Sequence, residues 1–178
     1  MLETIATIVV VVLLVIGIAV AFAASKPNSF RIERTTRIAA APDTIYPLID
    51  DFHRWTAWSP YENLDPNLRR TYSGAASGTG AVYAWEGNGK AGAGRMEITG
   101  TAAPSRVTIA LDFSKPFVAH NIAEFTMAPE GGVTAVTWAM HGSRPLMIKV
   151  MGLFFSMDKM VGKDFETGLA TLKSVAEA

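Results

Sequence analysis

A long stretch near the start of the chain contains no charged side chain, and it constrains the fold more than any other feature. Residues 4–25 are uncharged, and the apolar run at residues 5–24 is interrupted only by Thr7 and Gly17. As a helix with a rise of about 1.5 Å per residue, this run is about 30 Å long, which matches the hydrocarbon core of a bilayer. The sequence therefore predicts a transmembrane anchor helix at residues 4–25.

A cleaved signal peptide is the alternative to an anchor. The small residues Ala21 and Ala23 resemble a cleavage site, but residues 1–4 carry no basic side chain. A signal peptide opens with a positive region, and its apolar stretch is usually only about 7–15 residues long. Both observations favour an uncleaved, single-pass anchor, so we expect the protein to be located in a membrane.

The charges beside the anchor predict its orientation. Before the span lie only Glu3 and the terminal amine, whereas four basic residues follow it, namely Lys26, Arg31, Arg34 and Arg37. Basic residues are enriched on the cytoplasmic side of membrane helices, so this pattern favours a cytoplasmic C-terminal domain. The linker at residues 26–29 is short, because an extended chain spans at most about 3.6 Å per residue. We therefore expect the domain at residues 30–178 to lie against the membrane surface.

Length and composition narrow what this domain does. Roughly 150 residues suffice for one domain with its own core. The 16 basic and 16 acidic side chains cancel, which argues against a nucleic-acid partner because phosphate binding needs clustered positive charge. The chain has no cysteine and only three scattered histidines. We therefore predict no disulfide, no metal site and no cofactor.

Hydrophobic periodicity predicts the elements of the domain. A strand covers residues 30–40, and a helix runs from residue 41 to about residue 52, with Ile45, Leu48 and Ile49 at helical spacing. An aromatic elbow at residues 52–62 follows. Six further strands are predicted at about residues 68–73, 80–86, 94–100, 106–113, 120–128 and 133–141. Hairpin turns are predicted at residues 87–89 and 130–132, with glycines that supply positive φ.

The chain ends with a predicted long helix at residues 145–177. Residues 146–157 carry a single charge, Lys149, and no polar face. Such a segment needs cover on more than one side, from a core with a ligand, from another subunit or from the membrane. Gly152 and Gly162 predict a bend or a close approach within the helix. One hypothesis is that residues 146–155 gate the entry of a lipophilic ligand.

The order of these elements describes a curved seven-stranded antiparallel sheet around the terminal helix, an α+β arrangement. Several motifs reinforce it, namely DFHRW (51–55), WSPYENLDP (58–66), YAWEGN (83–88), GAGRMEI (92–98) and MDKMVGKDFE (157–166). Over about residues 30–177 the chain resembles the polyketide cyclase/dehydrase branch of the SRPBCC superfamily. That superfamily shares the helix-grip fold of START domains and the birch-pollen allergen.

This resemblance implies an elongated apolar cavity between the sheet and the C-terminal helix, with a small hydrophobic molecule or a lipid as the partner. Strand alternation places apolar side chains on one face, where they either line the cavity or simply pack against the helix. Methionines of the terminal helix adapt to varied apolar surfaces. The predicted ligand-binding residues are Trp58, Tyr83, Trp85, Met96, Ile98, Ile109, Phe113, Trp138, Met140, Met151, Phe154 and Met157.

Catalysis would need converging polar groups. A base such as His120 or Glu124, with Tyr83 as the proton donor, would support aldol-type cyclisation or dehydration. His120 and Glu124 share a strand face with Ile122, and the pattern leaves open which face is inward. Glu62 follows three aromatic residues and is either a half-buried catalytic carboxylate or a hydrogen-bond acceptor that holds the elbow in place.

The sequence thus predicts a membrane-anchored domain that binds or carries a small hydrophobic molecule. The first alternative is an enzyme of the cyclase/dehydrase type that acts on a polyketone-like substrate. The second is a regulatory or stress-related accessory protein that contacts other proteins near Phe154 and Phe155. Residues 146–157 are also an alternative oligomer interface.

Overall fold

The structure is a computed structural model that describes residues 1–178, the side chain of Leu2 excepted. Its helices are α1 Leu2–Ala24, α2 Pro42–Asp50, α3 Leu146–Met151 and α4 Met157–Ala176, with 3₁₀ turns at Phe52–Ala57 and Pro60–Asn63. Its strands are β1 Ser29–Ile38, β2 Arg69–Gly74, β3 Ala81–Glu86, β4 Ala93–Ala102, β5 Arg106–Lys115, β6 Ala119–Glu130 and β7 Val133–Ser143.

The chain divides into two compact units. The first contains residues 1–30 and 143–157, and the second contains residues 31–142 and 158–178. In the first unit, α1 is the one helix among the described residues that is long and apolar enough to cross a membrane, and none of its apolar window is buried. Helix α3 packs beside α1 in this unit.

The second unit is built on a single open sheet with the strand order β1-β7-β6-β5-β4-β3-β2. Strands β2 to β7 pair in antiparallel register, so that Tyr83 lies beside Met96 and Met96 lies beside Leu111. Strand β5 shows the predicted alternation, with Val107 and Ile109 fully buried on one face. The predicted α+β fold with a seven-stranded antiparallel sheet is confirmed.

The predicted C-terminal helix is interrupted, which corrects the sequence-based boundaries. Helix α3 ends at Met151, and α4 begins only at Met157. Gly152 caps α3 and donates its N–H to the carbonyl of Ile148, and a glycine costs a helix about 1 kcal/mol relative to alanine. Asp158 lies in the first turn of α4, where a negative charge stabilises the helix dipole.

One of the two predicted turns also needs correction. Gly131 and Gly132 have positive φ, as predicted for residues 130–132. In the other turn the positive φ belongs to Gly92 and not to Gly87 or Gly89. The loop is longer than predicted because Gly87 donates to the carbonyl of Gly92, and the side chain of Asn88 accepts the intervening N–H groups.

An aromatic cluster holds the second unit together. The ring of Trp138 on β7 stacks on Phe165 of α4 at a centroid distance of 4.1 Å and on Phe125 at 4.9 Å. Trp55 and Trp58 pack edge-on against the same strands, and their indole N–H groups donate to main-chain carbonyls of α2 at 2.9 and 2.8 Å. The elbow thereby ties α2 to the sheet and forms one wall of the site described next.

Candidate ligand-binding site

A cavity of about 360 Å³ lies in the second unit between the sheet, the elbow and α4. Its wall is mainly apolar and aromatic, with a few polar groups. The lining residues are Trp55, Ser59, Tyr61, Glu62, Leu64, Leu68, Tyr83, Trp85, Lys90, Ala91, Met96, Leu111, Phe113, Ala123, Trp138, Met140, Val161, Asp164 and Phe165. The wall is suited to an apolar molecule with a small number of polar atoms.

The structure places half of the predicted ligand-binding residues in the cavity wall. The six that line it are Tyr83, Trp85, Met96, Phe113, Trp138 and Met140. Trp58, Ile98 and Ile109 are buried in the core without lining the cavity. For Ile98 and Ile109, strand alternation identifies the inner face but not how far along a strand the cavity extends.

The three predicted contacts from residues 146–157 do not line this cavity. Met151, Phe154 and Met157 belong to the first unit. Phe154 is 77% exposed, and Met151 is 41% exposed. The prediction assumed one continuous helix, whereas the helix ends at Met151, so the face that lines the cavity begins further along the chain.

Sequence reasoning missed the residues that α4 contributes. Val161, Asp164 and Phe165 all line the cavity from this helix. They are spaced at i, i+3 and i+4 and therefore share one helix face. This spacing is a readable signal in the sequence, because residues at i, i+3 and i+4 lie on one face of a helix.

Glu62 is a buried carboxylate at the edge of the cavity, and it is held by two partners. Its side chain is 4% exposed. One carboxylate oxygen accepts from Arg70 Nε at 2.6 Å, and the other accepts from the hydroxyl of Tyr83 at 2.7 Å. Arg70 also donates to the main-chain carbonyl of Glu62 at 2.8 Å. The network joins the elbow to β2 and β3. This is the structural alternative for Glu62, a hydrogen-bond acceptor that holds the elbow in place.

The phenols in the wall remain protonated at neutral pH. Burial raises the pKa of Tyr83, and its hydrogen bond to Glu62 raises it further. Burial also raises the pKa of Tyr61. Burial raises the pKa of Asp164, a shift that the charge of Lys163 partly opposes. The wall therefore presents hydroxyl groups rather than phenolates to whatever enters the cavity.

Two buried polar atoms in the wall have no hydrogen-bond partner among the described residues. They are the hydroxyl of Ser59 and the indole Nε1 of Trp138. Ser59 is 2% exposed and Trp138 is 3% exposed. Buried polar groups are nearly always paired, because an unpaired group loses its bonds to water without replacement. Both residues belong to the lining of the cavity, so these two atoms are the unsatisfied polar groups nearest to any molecule bound there.

His120 and Glu124 do not assemble with Tyr83. On β6 the alternate residues Ala123 and Phe125 face the core, so His120 and Glu124 lie on the outer face of the sheet. The imidazole Nδ1 of His120 lies 2.7 Å from Asp112 Oδ1, and its side chain is 75% exposed. The predicted base thus stands on the opposite side of the sheet from the cavity.

The geometry defines a class of protein, since an antiparallel sheet that grips a C-terminal helix around an apolar cavity is the helix-grip architecture. Residues 29–177 match the family model described as "Polyketide cyclase / dehydrase and lipid transport". The chain belongs to this family, and the resemblance found in the sequence is confirmed. No curated protein matches the chain.

Solved structures share this fold at low sequence identity. Protein CV1439 from Chromobacterium violaceum has a TM-score of 0.59 and 15% identity, over 86% of this chain and 99% of that one. Major latex-like protein 151 from Panax ginseng has a TM-score of 0.58 and 13% identity, over 85% of this chain and 100% of that one. The di-domain ARO/CYC BexL from the BE-7585A biosynthetic pathway has a TM-score of 0.63 and 14% identity, over 89% of this chain and 53% of that one. These likenesses concern the fold alone.

Proposed function

We propose that this chain is a membrane-anchored protein that binds a small hydrophobic molecule carrying at least one hydrogen-bond acceptor. The observation that carries the proposal is the cavity of about 360 Å³ with its aromatic wall. Ligand pockets in proteins usually measure about 300–1,000 Å³ and combine apolar walls with a few polar groups. The family description, which names lipid transport beside cyclase chemistry, supports the same ligand class.

The acceptor on the ligand is inferred from the two unpaired polar atoms. Trp138 Nε1 is a donor only, and the hydroxyl of Ser59 can also donate. A carbonyl, carboxylate or hydroxyl oxygen of the ligand would pair with one or both of them. A pure hydrocarbon would leave them unpaired and would gain neither hydrogen bond.

The membrane anchor is the second part of the proposal. No part of the apolar window of α1 is buried, which is unfavourable in water but suited to lipid. Lys26 follows the span closely, whereas Glu3 precedes it. By the positive-inside rule, the domain would lie on the cytoplasmic side.

Mass spectrometry of co-purified molecules tests the cavity. The full chain is purified in mild detergent and extracted with organic solvent, and we expect one apolar, oxygen-bearing molecule reproducibly. Leu111→Trp would fill the cavity, whereas Ile122→Trp would place the same ring on the outer face of the sheet. We expect the first variant alone to weaken ligand affinity about tenfold, equivalent to about 1.4 kcal/mol, and so to lower ligand occupancy. Equal occupancy in both variants would refute the cavity as the binding site.

A second pair of variants tests the acceptor. Ser59→Ala removes a buried hydroxyl without a partner, so the free energy of unfolding should stay the same or rise by about 1 kcal/mol, while ligand affinity falls several-fold. Thr134→Val removes a buried hydroxyl that donates to the carbonyl of Ala40 at 2.6 Å. This control should lose about 1 kcal/mol of stability and keep its affinity. Unchanged affinity in Ser59→Ala would remove Ser59 from the site.

A cyclase or dehydratase is the second candidate function, and one observation favours it. Tyr83 and Glu62 form a phenol–carboxylate pair in the cavity wall, with 2.7 Å between the hydroxyl and the carboxylate. Such a pair can move a proton to or from a carbonyl compound. Turnover of a polyketone mimic that is lost in Tyr83→Phe but kept in His120→Ala would establish this function. Absence of turnover with a bound, unchanged ligand would favour the carrier.

A further inference from the structure

We propose that residues 146–155, here called the interface segment, insert into the headgroup boundary of the bilayer that α1 crosses, and that their partner is an anionic lipid surface. The inference rests on the proposed anchoring by α1 but is independent of the cavity and its ligand. Three features of the first unit support it: a tether between the interface segment and α1, an exposed apolar surface, and an excess of basic over acidic residues near that surface.

The tether fixes the depth of the interface segment. Lys149 is 7% exposed, and its Nζ donates to the main-chain carbonyl of Ala24 at 3.3 Å and to Asn28 Oδ1 at 2.6 Å. Ala24 is the last residue of α1, so the cation also lies at the negative end of the helix dipole. The N–H of Arg144 donates to the carbonyl of Asn28 at 2.7 Å and adds a second link. The interface segment is thus held at the level where the span ends.

The surface beyond the tether is strongly apolar and uncovered. Phe154 is 77% exposed and Phe155 is 66% exposed, and Leu146, Met147 and Met151 are exposed as well. Contiguous exposed apolar side chains mark an interaction surface. At the end of a membrane span, the nearest apolar phase is the acyl region just below the headgroups, where exposed Phe, Leu and Met side chains leave water.

The charges around this surface favour lipid over a second copy of the chain. Besides the buried Lys149, residues 25–30 and 143–157 contain the basic residues Lys26 and Arg144 and no acidic residue. A second copy docked on the same surface would bring like charges together. Anionic headgroups complement these charges, and basic residues next to a span attract them.

Single-cysteine fluorescence tests the proposal, since the natural chain has no cysteine. The full chain is placed in lipid nanodiscs of phosphatidylcholine with or without phosphatidylglycerol, with an environment-sensitive dye at Phe154→Cys. Phe22→Cys within α1 is the buried reference, and Ser77→Cys on an exposed loop is the aqueous reference. We expect iodide to quench the dye at position 154 at least about fivefold less than at position 77, with a blue-shifted emission.

The outcomes separate this inference from the anchoring on which it rests. Protection at position 22 with full iodide quenching at position 154 would refute insertion and leave the anchor intact. Quenching at both positions would overturn the anchor itself. Protection at position 154 that requires several copies per nanodisc would identify another copy as the partner and refute the lipid surface.

Two charge variants test the role of anionic lipid. Lys26→Gln should weaken the protection at position 154 that phosphatidylglycerol adds, because one of the basic groups at the boundary is lost. Arg106→Gln removes an exposed charge of the second unit and should leave that effect unchanged. Equal protection in the two lipid mixtures for the natural sequence would refute the role of anionic lipid.

Discussion

Truncation of Glu62 is expected to be the most destabilising single change among the polar side chains in the wall of the cavity. In Glu62→Ala, Arg70 loses a charge-assisted hydrogen bond of 2.6 Å, and the hydroxyl of Tyr83 loses its acceptor at 2.7 Å. The first loss is worth about 1.5–3 kcal/mol and the second about 1–3 kcal/mol. Because the side chain of Arg70 is 30% exposed and regains water, we place the total near 3 kcal/mol.

Urea denaturation of the full chain in detergent micelles measures this effect, with the four tryptophans as the fluorescent probe. Glu62→Gln keeps an acceptor for Tyr83 and should lose only about 1–2 kcal/mol. Tyr83→Phe should cost about 1 kcal/mol alone and almost nothing in the Glu62→Ala background, because the shared bond is already absent. Additive losses, or a loss below about 1 kcal/mol for Glu62→Ala, would show that the network does not hold the elbow.

Two further predictions concern packing and pH. A methyl group at Gly94 would lie 2.5 Å from the Trp85 ring, so Gly94→Ala should cost about 1–3 kcal/mol of stability. Gly89→Ala is the control, because its methyl group meets open space and should change stability by less than about 0.5 kcal/mol. Equal urea midpoints for the two variants would contradict this. The hydrogen bond from Arg34 lowers the pKa of Asp158 below its usual 3.8. That stabilisation is present above the ordinary carboxyl pKa and is lost as pH falls through the lowered value. As pH falls below about 5, Arg34→Gln should therefore lose less stability than the natural chain. Parallel pH profiles would refute the coupling.

The fold was predictable because most strands have one buried and one solvent-exposed face. Val107 and Ile109 alternate with polar neighbours on β5, and the sheet follows that pattern. The inward face of β6 was not predictable, since Ile122 on the outer face is apolar and 41% exposed. Pairing with β5 decides it, because Asp112 lies opposite His120 and gives that side a polar partner.

The end residues of the C-terminal helices and the hydrogen-bond network of the site depend on contacts between residues distant in sequence. An apolar run such as residues 146–157 contains few boundary signals, so one glycine decided where α3 ends. Glu62 was recognised as unusual from its aromatic neighbours alone. Its partners Arg70 and Tyr83 lie 8 and 21 residues away on different strands, and only the folded sheet brings them together.

The bond between Lys149 and Asn28 joins residues 121 positions apart, and this separation sets an order of events during synthesis. Ribosomes add about 5–20 residues per second, so Lys149 is made roughly 6–24 s after Asn28. With the proposed anchoring, α1 enters the bilayer before its tethering lysine exists. The interface segment then arrives at a membrane that already holds its own chain, and the nascent anchor directs it to one leaflet.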